Sequence, residues 1–276
     1  MTNTVIDPQS LAARLQTGQR TVLLDVRWAL GDPHGHEHYL EGHLPGALYV
    51  DLDAELAGHG IPQDGRHPLP SEQDFQAAAR RWGISAGDLV VAYDDSGNMA
   101  SARLWWLLRH AGFPSVSLLD GGLAGWREAG LPLESGSVSA VAGEIGIVFG
   151  SMPVISLPEA GDWSEHGVLL DARADERYRG EVEPVDPRAG HIPGAVSAPT
   201  SENLAADKKF LSVSELAARF AALGVSGDTE VAVYCGSGVT AAHQVAALEI
   251  AGVRAALFPG SFSAWSQHPE LPVEVS

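Results

Sequence analysis

The chain's one cysteine sits in Tyr234-Cys235-Gly236-Ser237-Gly238-Val239-Thr240-Ala241. The apolar run Val231-Ala232-Val233 before it reads as a strand, and the stretch from Thr240 to Ala251 reads as a helix. A sulfur between the two lies at the carboxyl edge of a sheet, where open α/β folds bind ligands. Gly236 and Gly238 let the backbone curl with its N–H groups inward, forming an anion nest. The following helix adds the partial positive charge of its N-terminus. Both effects favour thiolate, the nucleophilic form of cysteine. Ser237 and Thr240 can donate hydroxyl hydrogen bonds into the same concavity. The plain alternative is a small buried hydrophobe beside a glycine turn, since free cysteine is among the most buried residue types. The strand–loop–helix setting favours the reactive thiol. A cysteine phosphatase would need Cys-x5-Arg to hold phosphate, whereas the sixth residue after Cys235 is Ala241, so phosphoryl chemistry is disfavoured.

The elements that must position this loop occur twice. Leu23-Leu24-Asp25-Val26-Arg27 returns as Leu169-Leu170-Asp171-Ala172-Arg173, and Gly42-His43-Leu44-Pro45-Gly46-Ala47 as Gly190-His191-Ile192-Pro193-Gly194-Ala195. Tyr93-Asp94-Asp95-Ser96-Gly97 returns as Tyr234-Cys235-Gly236-Ser237-Gly238, and Gly121-Gly122 with Trp126 is echoed by Gly260 with Trp265. Blocks recurring in one order indicate a tandem duplication. The first copy has Asp94 where the second has its sulfur, so only the second can do thiol chemistry.

Each copy reads as α/β. Short apolar runs at 21–24, 89–93 and 116–118, then 168–170, 230–234 and 255–258, predict buried strands. Helical patterns at 72–82, 100–111, 213–222 and 240–251 lie between them, with Gly112 and Gly252 at expected C-caps. Alternating strands and helices predict a mainly parallel sheet flanked by helices in each copy. Residues 1–135 form the first domain, 136–158 a linker and 159–276 the second domain on this reading. The linker's middle, Ile145 to Phe149, is apolar enough to pack against a domain.

The balance of 17 Lys+Arg against 35 Asp+Glu gives a formal charge of −18, which repels phosphate backbones and anionic lipid. Nucleic acid and membrane are therefore excluded as expected partners, and no apolar run approaches the ~18 residues of a bilayer span. An anionic substrate would require a local basic or amide-lined pocket against the overall field. The opening residues lack the basic and apolar regions of a signal peptide, so the cytoplasm is the expected compartment. A single cysteine cannot form an intramolecular disulfide, in keeping with a reducing compartment. A monomer is expected, because two domains already provide a cleft.

Over nearly its whole length the chain resembles the tandem-domain rhodanese, or sulfurtransferase, family. The Asp-x-Arg strands, both Gly-His-(Leu/Ile)-Pro-Gly-Ala blocks and the Cys-Gly-Ser-Gly-Val-Thr-Ala loop carry the resemblance. It implies a catalytically silent N-terminal domain and a C-terminal domain whose Cys235 becomes a persulfide. It also implies a small-molecule sulfur donor and an acceptor that is cyanide or a thiol such as thioredoxin, with no cofactor. Members preferring thiosulfate carry Arg and Lys just after the cysteine. Gly236 and Ser237 resemble instead the 3-mercaptopyruvate type, which implies a Ser–His–Asp relay of Ser237, His67 and Asp53. Thiosulfate as donor, or a non-catalytic persulfide carrier, are the alternative readings. The resemblance further implies that Gly236, Gly238, Val239 and Thr240 bind substrate and that Arg177 grips the donor carboxylate, with Arg188 or Arg179 as second candidates. A planar guanidinium suits a carboxylate better than an ammonium does.

Other signals carry less. His34, His36 and His38 converge on a metal only from an extended or irregular backbone, so no metal site is expected. Asp25, Arg27, His43, Asp171, Arg173 and His191 occur in both copies, which points to structural pairing rather than catalysis.

Overall fold

The computed structural model describes residues 3–276. It resolves into two compact units. The first holds the described residues through Ala57 with 70–151 and 205–210; the second holds 58–69, 152–204 and 211–276. Residues 58–69 thus fold with the second unit although the chain order puts them in the first copy.

In the first unit β1 (Val5–Ile6), β2 (Thr21–Asp25), β3 (Leu48–Tyr49), β4 (Leu89–Tyr93) and β5 (Val116–Leu119) form a parallel sheet in the order β1-β5-β4-β2-β3. In the second, β6 (Val168–Asp171), β7 (Val196–Ser197), β8 (Val231–Tyr234) and β9 (Ala255–Leu257) form a parallel sheet in the order β7-β6-β8-β9. A single parallel bridge from Val154 to Leu257 stands where the first unit has β1. The long interior strands are buried apolar runs, as parallel sheets covered on both faces require. The two-residue edge strands carry no periodic signal and escape a reading of the sequence.

Register repeats as well. Asp25 pairs with Tyr93 and Asp171 with Tyr234, so Asp94 and Cys235 leave their sheets at the same edge. Each tyrosine hydroxyl then accepts from the block that follows the glycine-histidine pair: Leu44 N–H donates to Tyr93 at 3.0 Å, and Ile192 N–H to Tyr234 at 3.2 Å. His43 stacks on Tyr39 and His191 on Tyr178, with ring centroids 4.2 and 3.8 Å apart. These duplicated histidines hold loops in place.

Helices Glu72–Arg81 and Val213–Ala222 are capped by Ser71 and Ser212, whose hydroxyls accept from Asp74 and Glu215 N–H. Helices Ser101–His110 and Thr240–Ile250, which follow the central strands, have no cap from their own N-cap side chains. Their exposed N–H groups therefore look to the strand-end loops for partners. Among the described residues no helix is long and apolar enough to cross a membrane.

The apolar middle of the expected linker belongs to the first unit. Gly143 N–H donates to Arg80 O, Ile145 N–H to Ile84 O, and Arg80 Nε to Ile145 O. Ile145 and Ile147 are buried, while Val148 between them and Phe149 is 72% exposed. Ile145→Ala should therefore lower the unfolding free energy by about 2–4 kcal/mol. Val148→Ala should change it by less than about 0.5 kcal/mol, both read by denaturant titration.

Candidate active site

Cys235 leaves β8 with its own N–H donating to Ser261 Oγ at 3.1 Å, and Ser261 in turn donates to Phe258 O at 2.9 Å. The carbonyls of Cys235 and Gly236 point away from the sulfur and accept from Phe262 and Ser263 N–H at 3.0 and 2.8 Å. With the carbonyls engaged behind it, the loop turns an amide forward: Gly238 N–H lies 3.1 Å from Sγ. Gly238 has φ 80°, a left-handed conformation costly for other residues. Val239 follows at φ −79° as the N-cap of the helix, and Thr240 is its first residue. Cys235 is buried, 2% exposed.

The first unit shows what such a loop does with an anion. Gly97, in register with Gly238, has φ 81°. The Asp94 carboxylate occupies the place of the sulfur and accepts four backbone N–H groups, from Ser96, Asn98, Ala100 and Ser101, at 2.8–2.9 Å. Two of these are the unsatisfied amides at the start of the following helix. The loops part at the next residue, where Asn98 takes φ 68° and the β-branched Val239 does not. Asp94 thus closes its own nest, whereas the second unit has the Cys235 thiol in that place.

Beside the sulfur, Ser237 Oγ shares a 2.7 Å hydrogen bond with His67 Nδ1. Both side chains are buried. His67 reaches this place in the segment 58–69, where Gly58 N–H donates to Pro68 O and Arg66 N–H to Ser263 Oγ. Gly65, at φ 89°, lies so close to the Gly260 carbonyl that a β-carbon there would sit 2.7 Å from its oxygen.

Two guanidiniums lean over Gly236. A β-carbon on that residue would come within 3.0 Å of Arg66 Nη2 and 3.3 Å of Arg177 Nη1. Any larger side chain would therefore push into the arginines. Arg177 is held by Glu183 (2.7 and 3.2 Å) and by Asp186 (3.1 Å), and Arg66 is paired with the other oxygen of Asp186. Glu183 also reaches Arg173 at 3.4 Å, and Arg173 grips Asp171 at 2.6 Å. The result is an alternating series: Asp171, Arg173, Glu183, Arg177, Asp186, Arg66. Burial pushes the Asp186 carboxyl above its usual range, against the pull of Arg66 and Arg177. For Glu183 burial acts the same way but is outweighed by the Arg177 hydrogen bond and the amides of Asp186 and Val185, leaving its pKa lowered.

The structure thus brings Cys235, Gly236, Ser237, Gly238, His67 and Arg177 together. Arg188 is committed elsewhere: its guanidinium donates to the carbonyls of Ser266, Leu271, Trp265 and His268 at 2.7–3.1 Å, tying down the C-terminal segment. Arg179 forms an exposed pair with Glu181. Asp53 lies in the first unit, in the short helix Leu52–Glu55, and accepts from Trp28 Nε1 at 3.2 Å. His34 pairs with Glu37 and His38 with Asp32 at the surface. Arg66 is the residue that sequence reasoning missed. Its signal was present: a cation immediately before the candidate histidine, in a chain short of cations.

A rhodanese-like domain model matches residues 7–129 and, a second time, 156–268. The chain belongs to the rhodanese family. It is 48% identical over 275 residues to a Mycobacterium tuberculosis protein, SseB, named for thiosulfate sulfurtransferase activity, covering 98% of this chain and 96% of that one. It is 37% identical over 262 residues to the 3-mercaptopyruvate sulfurtransferase of Escherichia coli, covering 91% of each. The crystal structure of SseA from Escherichia coli superposes with a TM-score of 0.83 at 33% identity, covering 94% of this chain and 99% of that one. The duplicated α/β architecture is therefore the tandem rhodanese fold, and the chain is a sulfurtransferase.

In rhodanese terms Asp94 marks the copy without the thiol. Asp94→Ala should strand its four N–H donors, three of them buried, and lower stability by about 3 kcal/mol, measured as a fall in Tm and in the denaturant midpoint.

Proposed function

We propose that this enzyme moves a sulfane sulfur from 3-mercaptopyruvate, through a persulfide on Cys235, to a thiol acceptor or cyanide. The observation that carries the donor choice is the Ser237–His67 hydrogen bond, two residues from the sulfur. Thiosulfate releases sulfite and needs no proton transfer. 3-Mercaptopyruvate must lose a thiol proton and gain one at carbon. In the first half-reaction the Cys235 thiolate attacks the donor sulfur, an S–S bond forms and the C–S bond breaks. The electron pair of that bond passes to carbon, which takes the proton given up by the donor thiol, leaving pyruvate and Cys235–S–S⁻. Ser237 and His67 are the groups that hold and return that proton. Asp53 as their third member rests on the family resemblance alone. In the second half-reaction the acceptor thiolate attacks the outer sulfur and frees the Cys235 thiolate, a ping-pong cycle that calls for no metal or cofactor.

Arg177 and Arg66 are the groups best placed to clamp the donor's carboxylate, since their guanidiniums converge beside Gly236. The glycines and Val239 shape the loop, and Thr240 opens the helix behind it. We assign catalysis to the copy spanning 159–276 together with the segment carrying His67, with the remainder of 1–135 lacking a nucleophile of its own and 136–158 connecting them. A thioredoxin-type dithiol, a monomeric state and the cytoplasm complete the proposal, the last supported by a lone cysteine. Thiosulfate as principal donor is the second reading, favoured by the name of the mycobacterial relative.

Measuring kcat/KM for both donors side by side separates the two. Wild type should prefer 3-mercaptopyruvate, and Ser237→Ala should cost that donor about 100-fold while changing thiosulfate by less than about threefold. Cys235→Ser should abolish both. Preference for thiosulfate combined with a silent Ser237→Ala would overturn the relay.

A further inference from the structure

We propose that Asp186 sets the donor charge this site accepts: its carboxylate offsets one of two clamping guanidiniums, suiting the clamp to a monoanion and disfavouring a dianion. The inference rests on the donor clamp proposed above. One carboxylate oxygen of Asp186 takes Nη1 of Arg66 and the other takes Nη2 of Arg177. Arg66 Nη2 and Arg177 Nη1 make no hydrogen bond among the described residues, and these are the atoms that lie over Gly236. Asp186 therefore occupies the inward donors and leaves the outward pair convergent beside the residue that follows the nucleophile. Two N–H-bearing ends of this kind match one carboxylate.

Charge decides the rest. Arg66 and Arg177 face Glu183 and Asp186, two cations against two anions, so the resting cluster sums to zero. The Asp186 side chain is 2% exposed, which leaves little water to screen its field. A carboxylate arriving at the outward pair brings one negative charge to a neutral cluster. Thiosulfate would bring two. Without the Asp186 charge the cluster would carry a net positive charge and gain more from the dianion. Arg66 and Asp186 also line a cavity of about 340 Å³, together with Gly65 and Ser263.

The test is the ratio of kcat/KM for thiosulfate to that for 3-mercaptopyruvate, in wild type, Asp186→Asn and Asp186→Glu. Asp186→Asn, which keeps shape and removes charge, should move the ratio about tenfold toward thiosulfate. Asp186→Glu, which keeps the charge, should hold it within about threefold of wild type. A ratio unmoved in Asp186→Asn, with both donors falling together, would make Asp186 a structural strut and overturn the inference. Competitive inhibition of the unmodified enzyme gives a measurement independent of any variant's folding: pyruvate, a monoanion, should bind more tightly than sulfate, a dianion. Equal or reversed affinities would also overturn it. Failure of the donor reading looks different, because it appears in wild type and Ser237→Ala and leaves the shift in ratio untouched.

Discussion

Buried charge must be paired, and in the second unit that requirement organises the site from the sheet outward. Asp171 ends β6 fully buried and binds Arg173, whose guanidinium also lies 4.0 Å from the Phe262 ring centroid. Arg173 leaves a face for Glu183, Glu183 holds Arg177, and Asp186 links Arg177 to Arg66. Deleting Arg173 would strand Asp171, a fully buried carboxylate. The series places two guanidiniums, each balanced by a carboxylate, between the rigid sheet edge and the loop that bears Cys235, in a chain whose formal charge is −18. Precision in the arginines is thus inherited from the strand, through fixed ion pairs, rather than from long side chains groping in solvent.

The duplicated units show how little separates an inert loop from a chemical one. Strand register, the tyrosine hydroxyl contact, the stacked histidine and the left-handed glycine recur in both. The first unit spends its amides on the Asp94 carboxylate, which also caps helix Ser101–His110. The second substitutes a sulfur, which accepts from Gly238. Stability and reactivity are two uses of one backbone device.

Much of this was legible in the amino-acid sequence. The central strands and main helices follow from apolar runs, with ends displaced by a residue or so: β2 and β6 extend to Asp25 and Asp171 because those carboxylates are neutralised within the sheet edge. Cys235, Ser237, His67 and Arg177 were readable because each sits in a motif. The partners of Arg188 and Arg66 were not legible for one reason: a guanidinium's partners depend on tertiary placement. Arg188 is saturated by four carbonyls of the C-terminal segment, and Arg66 is carried to the site by a loop with no periodic pattern of its own. The two-residue strands were silent for a related cause, since their pairing is dictated by the neighbouring strand.

The segment 58–69 gives the duplication an asymmetric history. A repeat that arose as two interchangeable halves no longer divides at the midpoint of the chain, because Arg66 and His67 precede the linker yet fold with the unit that bears Cys235. In return, residues 205–210 fold with the first unit, where Phe210 N–H donates to Asp120. Each half has become dependent on a short loan from the other. A fragment holding the second copy alone would therefore carry Cys235 and Ser237 without the histidine that Ser237 bonds.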